Sequence, residues 1–474
     1  MKVEAGLSLK RGGSSMKNEK WREETGLRAV EKARLPSDFI DVEHGLVDRK
    51  IFTDEAIYKD ELKRIFGRAW NFMCHESQLP EVGSFFMNYI GEDQVIAVRD
   101  REGVIQVLIN TCPHRGNTVC RAEQGKTRSF MCAYHGWNFD LNGDLIGVPG
   151  LDEFYRGGLK REEWGISKAA KVQSYKGFVF ATLDPQSPDL DDYLGWVGKL
   201  GLDLMGTDRE LVAVPGVQKN RIRCNWKLAV DNLFDWYHPK ISHASAIRSG
   251  FFDEKLLYPA DQMVMLGEYG HAVSGPKITM AEEEALAALS DSERRAVFDS
   301  LPGQSWRFTE SAAETLGPVG IKSRGHPNIF PNLWVSTGGT QLCLRVPRGP
   351  AVTELWWFTF VDKNAPEEQK RKVVRMATHF FGPAGLLEQD DGENWNHSTR
   401  TCRETMTSSR RPLNFAMGKG QDMVEVDPSG QSRVETVINE HAQLWLYRSW
   451  AEWMEAEDWP ALIANHAAEP RGRI

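Results

Sequence analysis

Two short stretches, "CPHRG" (112–116) and "CAYHG" (132–136), constrain this chain more than anything else in it. Each offers one thiolate and one imidazole at close spacing, and seventeen residues separate His114 from Cys132. Cys112 and His114 are two apart and Cys132 and His135 three apart, so each pair suits a tight loop at the tip of a β-hairpin. Two such loops facing each other supply four ligands to one metal centre. A structural tetrahedral zinc satisfies that donor set. So does a [2Fe–2S] centre that takes two cysteines on one iron and two histidines on the other.

The remaining cysteines argue for a reducing compartment. Seven cysteines (74, 112, 120, 132, 224, 343 and 402) are an odd number scattered over 474 residues, unlike a disulfide framework. The first 24 residues are charged throughout and lack the apolar core of a secretory signal, and no run of about 18 apolar residues follows. A cytoplasmic protein is expected, with Met16 a plausible alternative start. Formal net charge is −8 and Lys and Arg are interspersed with Asp and Glu, which excludes nucleic acid or an anionic membrane as main partner.

The pattern along the chain is α+β. Residues 54–73 carry apolar side chains at near-helical spacing. From 85 to 140 the runs are short, β-branched and broken by Gly, Asn and Asp, as in "QVIAVRD" and "VIQVLIN". "GFVFATLD" (177–184) reads as a further strand, and a boundary is expected near 186. Beyond it, helical patterns (227–247, 280–300, 366–380, 434–457) alternate with strands such as "NLWVSTGG", "QLCLRVP" and "ELWWFTFVD". Regular βαβ alternation is missing, so the strands are expected to be mostly antiparallel. No G-x-G-x-x-G follows a strand, so nicotinamide binding by this chain is not expected.

A second constellation is "DNLFDWYHPKISH" (231–243). On a straight helix His238 and His243 would differ by roughly 140°, too far apart to share a metal. Pro239 removes a helical hydrogen bond and breaks or restarts the helix between them, so irregular backbone is expected at 238–241. A mononuclear iron bound by two histidines and one carboxylate keeps open positions for dioxygen. Asp235, three residues before His238, is placed to accept a hydrogen bond from a metal-bound imidazole.

These motifs, with "NWKLAVDNLFDWYHPKISH" (225–243) and "FGPAGLLEQDDGENW" (381–395), resemble the large catalytic α subunits of Rieske aromatic ring-hydroxylating dioxygenases of the naphthalene, biphenyl and phenylpropionate type. The resemblance runs from about residue 45 to about 460 and includes Arg115, Gly116, Gly136 and Trp137. It favours the Rieske [2Fe–2S] cluster over zinc, on Cys112, His114, Cys132 and His135. It implies a β-sandwich-like Rieske domain inserted before a catalytic domain with a long antiparallel sheet covered by helices, of the helix-grip type. The expected division is an N-terminal arm and helix (1–68), a Rieske domain (69–186) and a catalytic mononuclear iron domain (187–474).

Carried over residue by residue, Asp391 joins His238 and His243 as an iron ligand, with Glu388, Asp390 and Glu393 as neighbours. Asp235 is implied to carry electrons from His135 of one subunit to His238 of the next. Asp231 departs from the Glu or Ala more usual at its position. Asn232, Leu233, Phe234, Phe381 and Leu387 are expected to line the substrate pocket, with further candidates from 326–335. The implied activity is a terminal oxygenase that adds both atoms of O2 to an aromatic ring, giving a cis-dihydrodiol. Its implied partners are a ferredoxin, an NAD(P)H-dependent reductase and a small β subunit in an α3β3 assembly, or an α3 homotrimer. The rival readings are a monooxygenase or demethylase of the same iron class, and a Rieske electron carrier.

Overall fold

The structure, a computed structural model, describes residues 34–207, 209–251, 261–278, 305–403, 411–466 and 469–474, with a few positions between 282 and 293. The β-rich part begins at the buried strand Asn71–His75 and returns beside it at Phe178–Thr182, which Lys171–Tyr175 flanks. Between these ends lies a four-stranded antiparallel sheet in the order Ile105–Ile109, Asp93–Arg99, Ser84–Ile90, Gln124–Lys126. Its central hairpin turns on two residues, Gly91 and Glu92, between the paired Ile90 and Asp93. Gly91 takes φ +58°, which a Cβ would penalise. A small sheet, Phe130–Met131, Asn138–Phe139 and Leu145–Gly147, brackets the second Cys/His loop.

The larger part is built on an eleven-stranded antiparallel sheet. Its middle runs Thr353–Asp362, Gln341–Pro347, Leu333–Ser336, His326–Ile329, Ala272–Pro276 and Gln262–Leu266, with Gln218–Ile222 also pairing with Thr353–Asp362. Side chains alternate between faces along each strand. The helix Leu190–Asp203 covers one face: a Cβ at Gly201 would come within 2.9 Å of Pro327 and 3.1 Å of Ile329. His326 and Asn328 therefore point the other way, toward the segment 226–248 and the helix Leu386–Cys402, where the candidate site lies.

Several expected elements change. The pattern 54–73 yields the helix Glu55–Glu61 and a π-helical turn Leu62–Phe66, but then the strand Asn71–His75, whose five residues are all buried and so lack strand alternation. The 434–457 pattern divides into the strand Ser432–Thr436 and the helix His441–Glu455. The 366–380 helix is found at Glu367–Phe380, while most of 280–300 lies outside the described residues. The 227–247 pattern is broken into Trp226–Asp231, a 3-10 turn Asn232–Phe234, Pro239–Ser242 and Ala244–Arg248.

One buried ion pair ties these parts together. Glu61, fully buried, accepts from the indole N–H of Trp226 at 2.8 Å and of Trp450 at 2.8 Å, and pairs with buried Lys227. The Lys227 ammonium also lies 5.1 Å from the Trp226 ring centroid and 5.7 Å from those of Phe52 and Trp450. Removing one partner leaves the other charge buried and uncompensated. Glu61→Leu should cost roughly 3–5 kcal/mol in denaturant titration, and adding Lys227→Met should restore most of that loss; a double variant no better than the single would refute the ion-pair account.

Candidate metal centres

The two Cys/His loops have the same backbone design. Cys112 N–H donates to the Asn117 carbonyl at 2.8 Å and Gly116 N–H to the Cys112 carbonyl at 2.9 Å. Cys132 repeats this with Trp137 at 2.8 Å and Gly136 at 2.9 Å. The glycines close the turns at φ +69° and +75°. Both cysteines are buried, whereas His114 and His135 are half-buried with ring centroids 4.5 Å apart. Trp137 stacks flat on His114, centroids 4.8 Å apart and planes within 6°.

Burial pushes the Cys112 thiol up. At Cys132 burial acts the same way, but the Tyr134 N–H and the Asn117 amide, 3.7 Å from the sulfur, outweigh it and lower the thiol. Donors aimed at sulfur stabilise a thiolate ligand. His114 Nδ1 is buried without a hydrogen-bond partner, as a ligand atom would be. The ligand atoms of a tetrahedral zinc lie within roughly 4 Å of one another, given bonds of about 2.0–2.3 Å. Among the described residues, the compact His/Cys/Asp/Glu set has its atoms within 4.8 Å and does not include these four. Two thiols and two imidazoles on facing loops are the donor set of a centre with the cysteines on one iron and the histidines on the other.

That compact set is His238, His243 and Asp391. His238 Nε2 lies 3.3 Å and His243 Nε2 3.4 Å from the same oxygen, Asp391 Oδ1. The far nitrogens are held too: His238 Nδ1 is 3.3 Å from Asp235 Oδ2 and His243 Nδ1 is 3.4 Å from Asp390 Oδ2. Asp235 Oδ1 also accepts the backbone N–H of Tyr237 at 2.7 Å and of His238 at 3.2 Å, which fixes the turn before His238. A proton on each Nδ1, on the side of the neighbouring carboxylate, leaves both Nε2 lone pairs facing one point.

The backbone break lies upstream of its expected position. Residues 238–241 are helical, because Pro239 occupies the first position of Pro239–Ser242, where its missing N–H costs nothing. The irregular backbone is at Asp235–Tyr237, with Asp235 extended at ψ 103°, and again at His243, φ −96° and ψ 27°. The two histidines thus flank one short helical turn instead of a disrupted one.

Negative charge is in surplus here. Burial alone would lower the His238 imidazolium, but Asp235 and Asp391 outweigh it and raise His238 to about 10. Burial pushes fully enclosed Glu388, one turn before Asp391, up to about 7. The Nδ1 and Nε2 of His238 and Oδ1 of Asp391 are buried with no hydrogen bond of good geometry. Two imidazoles and a carboxylate converging with unmet demand for positive charge suit a divalent cation. The contact of Asp390 with His243 was not foreseen; the adjacent acidic pair Asp390–Asp391 is its only sequence signal.

Of the expected pocket residues, Leu233, Phe234 and Leu387 are buried and Asn232 and Phe381 half-buried. Phe381 stacks on Trp357 at 4.6 Å and meets Trp334 edge-on at 4.9 Å. His326 packs between Trp236 and Trp334, at 4.8 and 5.0 Å.

Comparison with known proteins decides the family. Residues 69–176 match the Rieske [2Fe-2S] domain and residues 205–457 the ring hydroxylating alpha subunit (catalytic domain). The biphenyl 2,3-dioxygenase subunit alpha of Rhodococcus jostii is 37% identical over 91% of this chain and 94% of its own. The chain belongs to the ring-hydroxylating dioxygenase alpha subunits. The chlorobenzene dioxygenase subunit alpha of a Cupriavidus species is 36% identical over 93% of this chain and 98% of its own. A solved naphthalene 1,2-dioxygenase variant bound to phenanthrene superposes with TM-score 0.77, at 27% identity, over 90% of this chain and 96% of that one.

This dioxygenase alpha subunit is an oxidoreductase whose cofactors are a Rieske [2Fe–2S] cluster and a mononuclear non-heme iron. If Asp391 supplies the carboxylate ligand, Asp391→Ala should lose mononuclear iron while Rieske absorbance persists; iron retained at one per chain would transfer the role to Asp390 or another acid.

Proposed function

We propose that this chain is a terminal oxygenase that adds both atoms of O2 to adjacent carbons of an aromatic ring, releasing a cis-dihydrodiol. The observation that carries the proposal is the convergence of His238, His243 and Asp391 on one point in a chain with two matched Cys/His loops. In this reading Cys112, Cys132, His114 and His135 hold the cluster, and His238, His243 and Asp391 hold the iron. The cluster supplies electrons one at a time and the iron a place for dioxygen to react. The protein's own contribution is placement: Asp235 and Asp390 set the tautomers of His238 and His243, and Leu233, Phe234 and Leu387 keep the site dry.

Electrons would come from a separate ferredoxin and NAD(P)H-dependent reductase. Asp235 would relay them between subunits, from His135 of one chain to His238 of the next. Exposed apolar side chains support a head-to-tail arrangement: Met131 and Tyr134 flank His135, and Tyr237 and Ile241 flank His238. Pairing those two ends in an α3 or α3β3 assembly would cover both. The divisions 1–68, 69–186 and 187–474 belong to the same reading, as does a cytoplasmic location. No described helix is long and apolar enough to cross a membrane.

Anaerobically purified protein should contain about three irons and two acid-labile sulfides per chain, with a Rieske signal by EPR after reduction. Under 18O2 with ferredoxin and reductase, the product should be a cis-diol carrying both labelled atoms; a singly labelled phenol or a demethylated product would make the chain a monooxygenase. Asp235→Asn should retain both centres and stall turnover, and full turnover would eliminate the relay.

A further inference from the structure

The two histidines stand at the ends of one short turn, His238 just before Pro239–Ser242 and His243 just after it. None of that turn's four residues is buried, and Ile241 is 77% exposed. Burial, the main driving force of a fold, therefore does not fix the turn that carries both histidines. Its approaches are held: Asp235 shapes the backbone ahead of His238, and completely buried Ala246 seats the helix Ala244–Arg248 behind His243. Between them the backbone leaves regular geometry at His243, where φ −96° and ψ 27° end one helical piece and start the next.

Asp391 rides on a firmer element. The helix Leu386–Cys402 packs on the sheet edge through Gly392 and buries Trp395 and Thr399, and the Thr399 hydroxyl accepts the Asn225 N–H at 2.9 Å. From this helix Asn394 reaches across, its amide nitrogen donating to the Ser242 hydroxyl at 3.1 Å. Ser242 ends the turn and immediately precedes His243. Asn394 lies one helical turn after Asp390, so both face the same way. Asp390 Oδ2 stands 3.4 Å from His243 Nδ1 and 3.4 Å from the Ser245 hydroxyl. One helix thus meets residues 242, 243 and 245 on the same side that presents Asp391 to His238 and His243.

We infer that Asn394 is a positioning residue for the mononuclear metal: by holding Ser242 it fastens the unburied turn, and with it the two histidines, to the helix that carries Asp391. The inference rests on the ligand assignment proposed above and adds a residue outside it. Asn394 is exposed and neutral, so replacing it removes a tether without altering the charge at the site or opening a cavity in the core. Its effect is preorganisation. A turn left free populates the ligating geometry only part of the time, and the apparent affinity falls by that fraction. The hydrogen bond joins the same two elements that the metal would join, so metal binding gains from it directly.

The test titrates Co(II) into full-length protein that retains its Rieske cluster and whose mononuclear metal has been removed by anaerobic chelation. Asn394→Ala should raise the Co(II) Kd roughly fivefold, the worth of one hydrogen bond, with Rieske absorbance and the unfolding midpoint of the chelated protein unchanged. Ser242→Ala should do the same, and the double variant should bind no more weakly than either single. Ser242→Thr, which keeps the hydroxyl, should bind as the unaltered protein does. A lowered unfolding midpoint with the Kd unchanged would assign Asn394 to stability alone and overturn the inference, as would losses that add in the double variant. If Asp391→Ala still abolishes binding in that case, the ligand assignment stands without the tether. Binding indifferent to Asp391→Ala would overturn both.

Discussion

A carboxylate with no access to water, Glu61, organises the region around the iron site. Isolated in a protein interior it would be strongly unfavourable, so its neighbours are chosen for it: one ammonium and two indole N–H donors. Three helices meet at this group, since Glu61 ends the helix Glu55–Glu61, Trp226 and Lys227 begin the helix Trp226–Asp231, and Trp450 lies in His441–Glu455. Satisfying Glu61 therefore anchors the start of the segment that goes on to present His238 and His243. The same helix is held from the other side by Arg345, whose guanidinium donates to the Ala229 carbonyl. A second buried acid, Asp231, is pushed well above the usual carboxylate range by burial and is met by the Tyr447 hydroxyl from the C-terminal helix.

With its start fixed, the segment needs only local devices to aim its two histidines. The Asp235 carboxylate accepts two backbone N–H groups with one oxygen and faces the His238 ring with the other. One side chain thus shapes the turn and orients the ligand, which explains why the chain leaves helical geometry before Pro239. Asp391 arrives from 148 residues beyond His243 in sequence, on a helix whose Gly392 brings it against Ile222: a Cβ there would stand 2.9 Å from Ile222 Cδ1. The site is completed by long-range packing of a helix on a sheet edge.

That difference decides what could be read before folding. The Cys/His loops are local, closed by hydrogen bonds spanning four and five residues, so spacing alone exposed them. The His238 and His243 pair was legible for the same reason, although the position of the break was not, because Pro at the first turn of a helix and Pro inside one look alike in sequence. Asp391 was different. By residue type it is one of several acids in "LLEQDDGENW", and only resemblance singled it out from Glu388, Asp390 and Glu393. The misread strand Asn71–His75 failed on a related ground. Asn71–His75 is buried on both faces, and such a strand carries no alternation to distinguish it from a buried helix.

The charge at the proposed iron site makes the last link between fold and function. Asp235, Asp390 and Asp391 surround two imidazoles, and in the protein alone a proton on His238 answers part of that demand. A divalent cation would answer more of it, with Asp391 and both Nε2 atoms as the groups that would hold it and each Nδ1 left facing a carboxylate. The ligand atoms already stand within 4.8 Å of one another, so little reorganisation separates the two states. The proton and the metal therefore compete for one prepared place. The carboxylates that face the imidazoles are the same groups that raise the demand of this place for a cation of either kind.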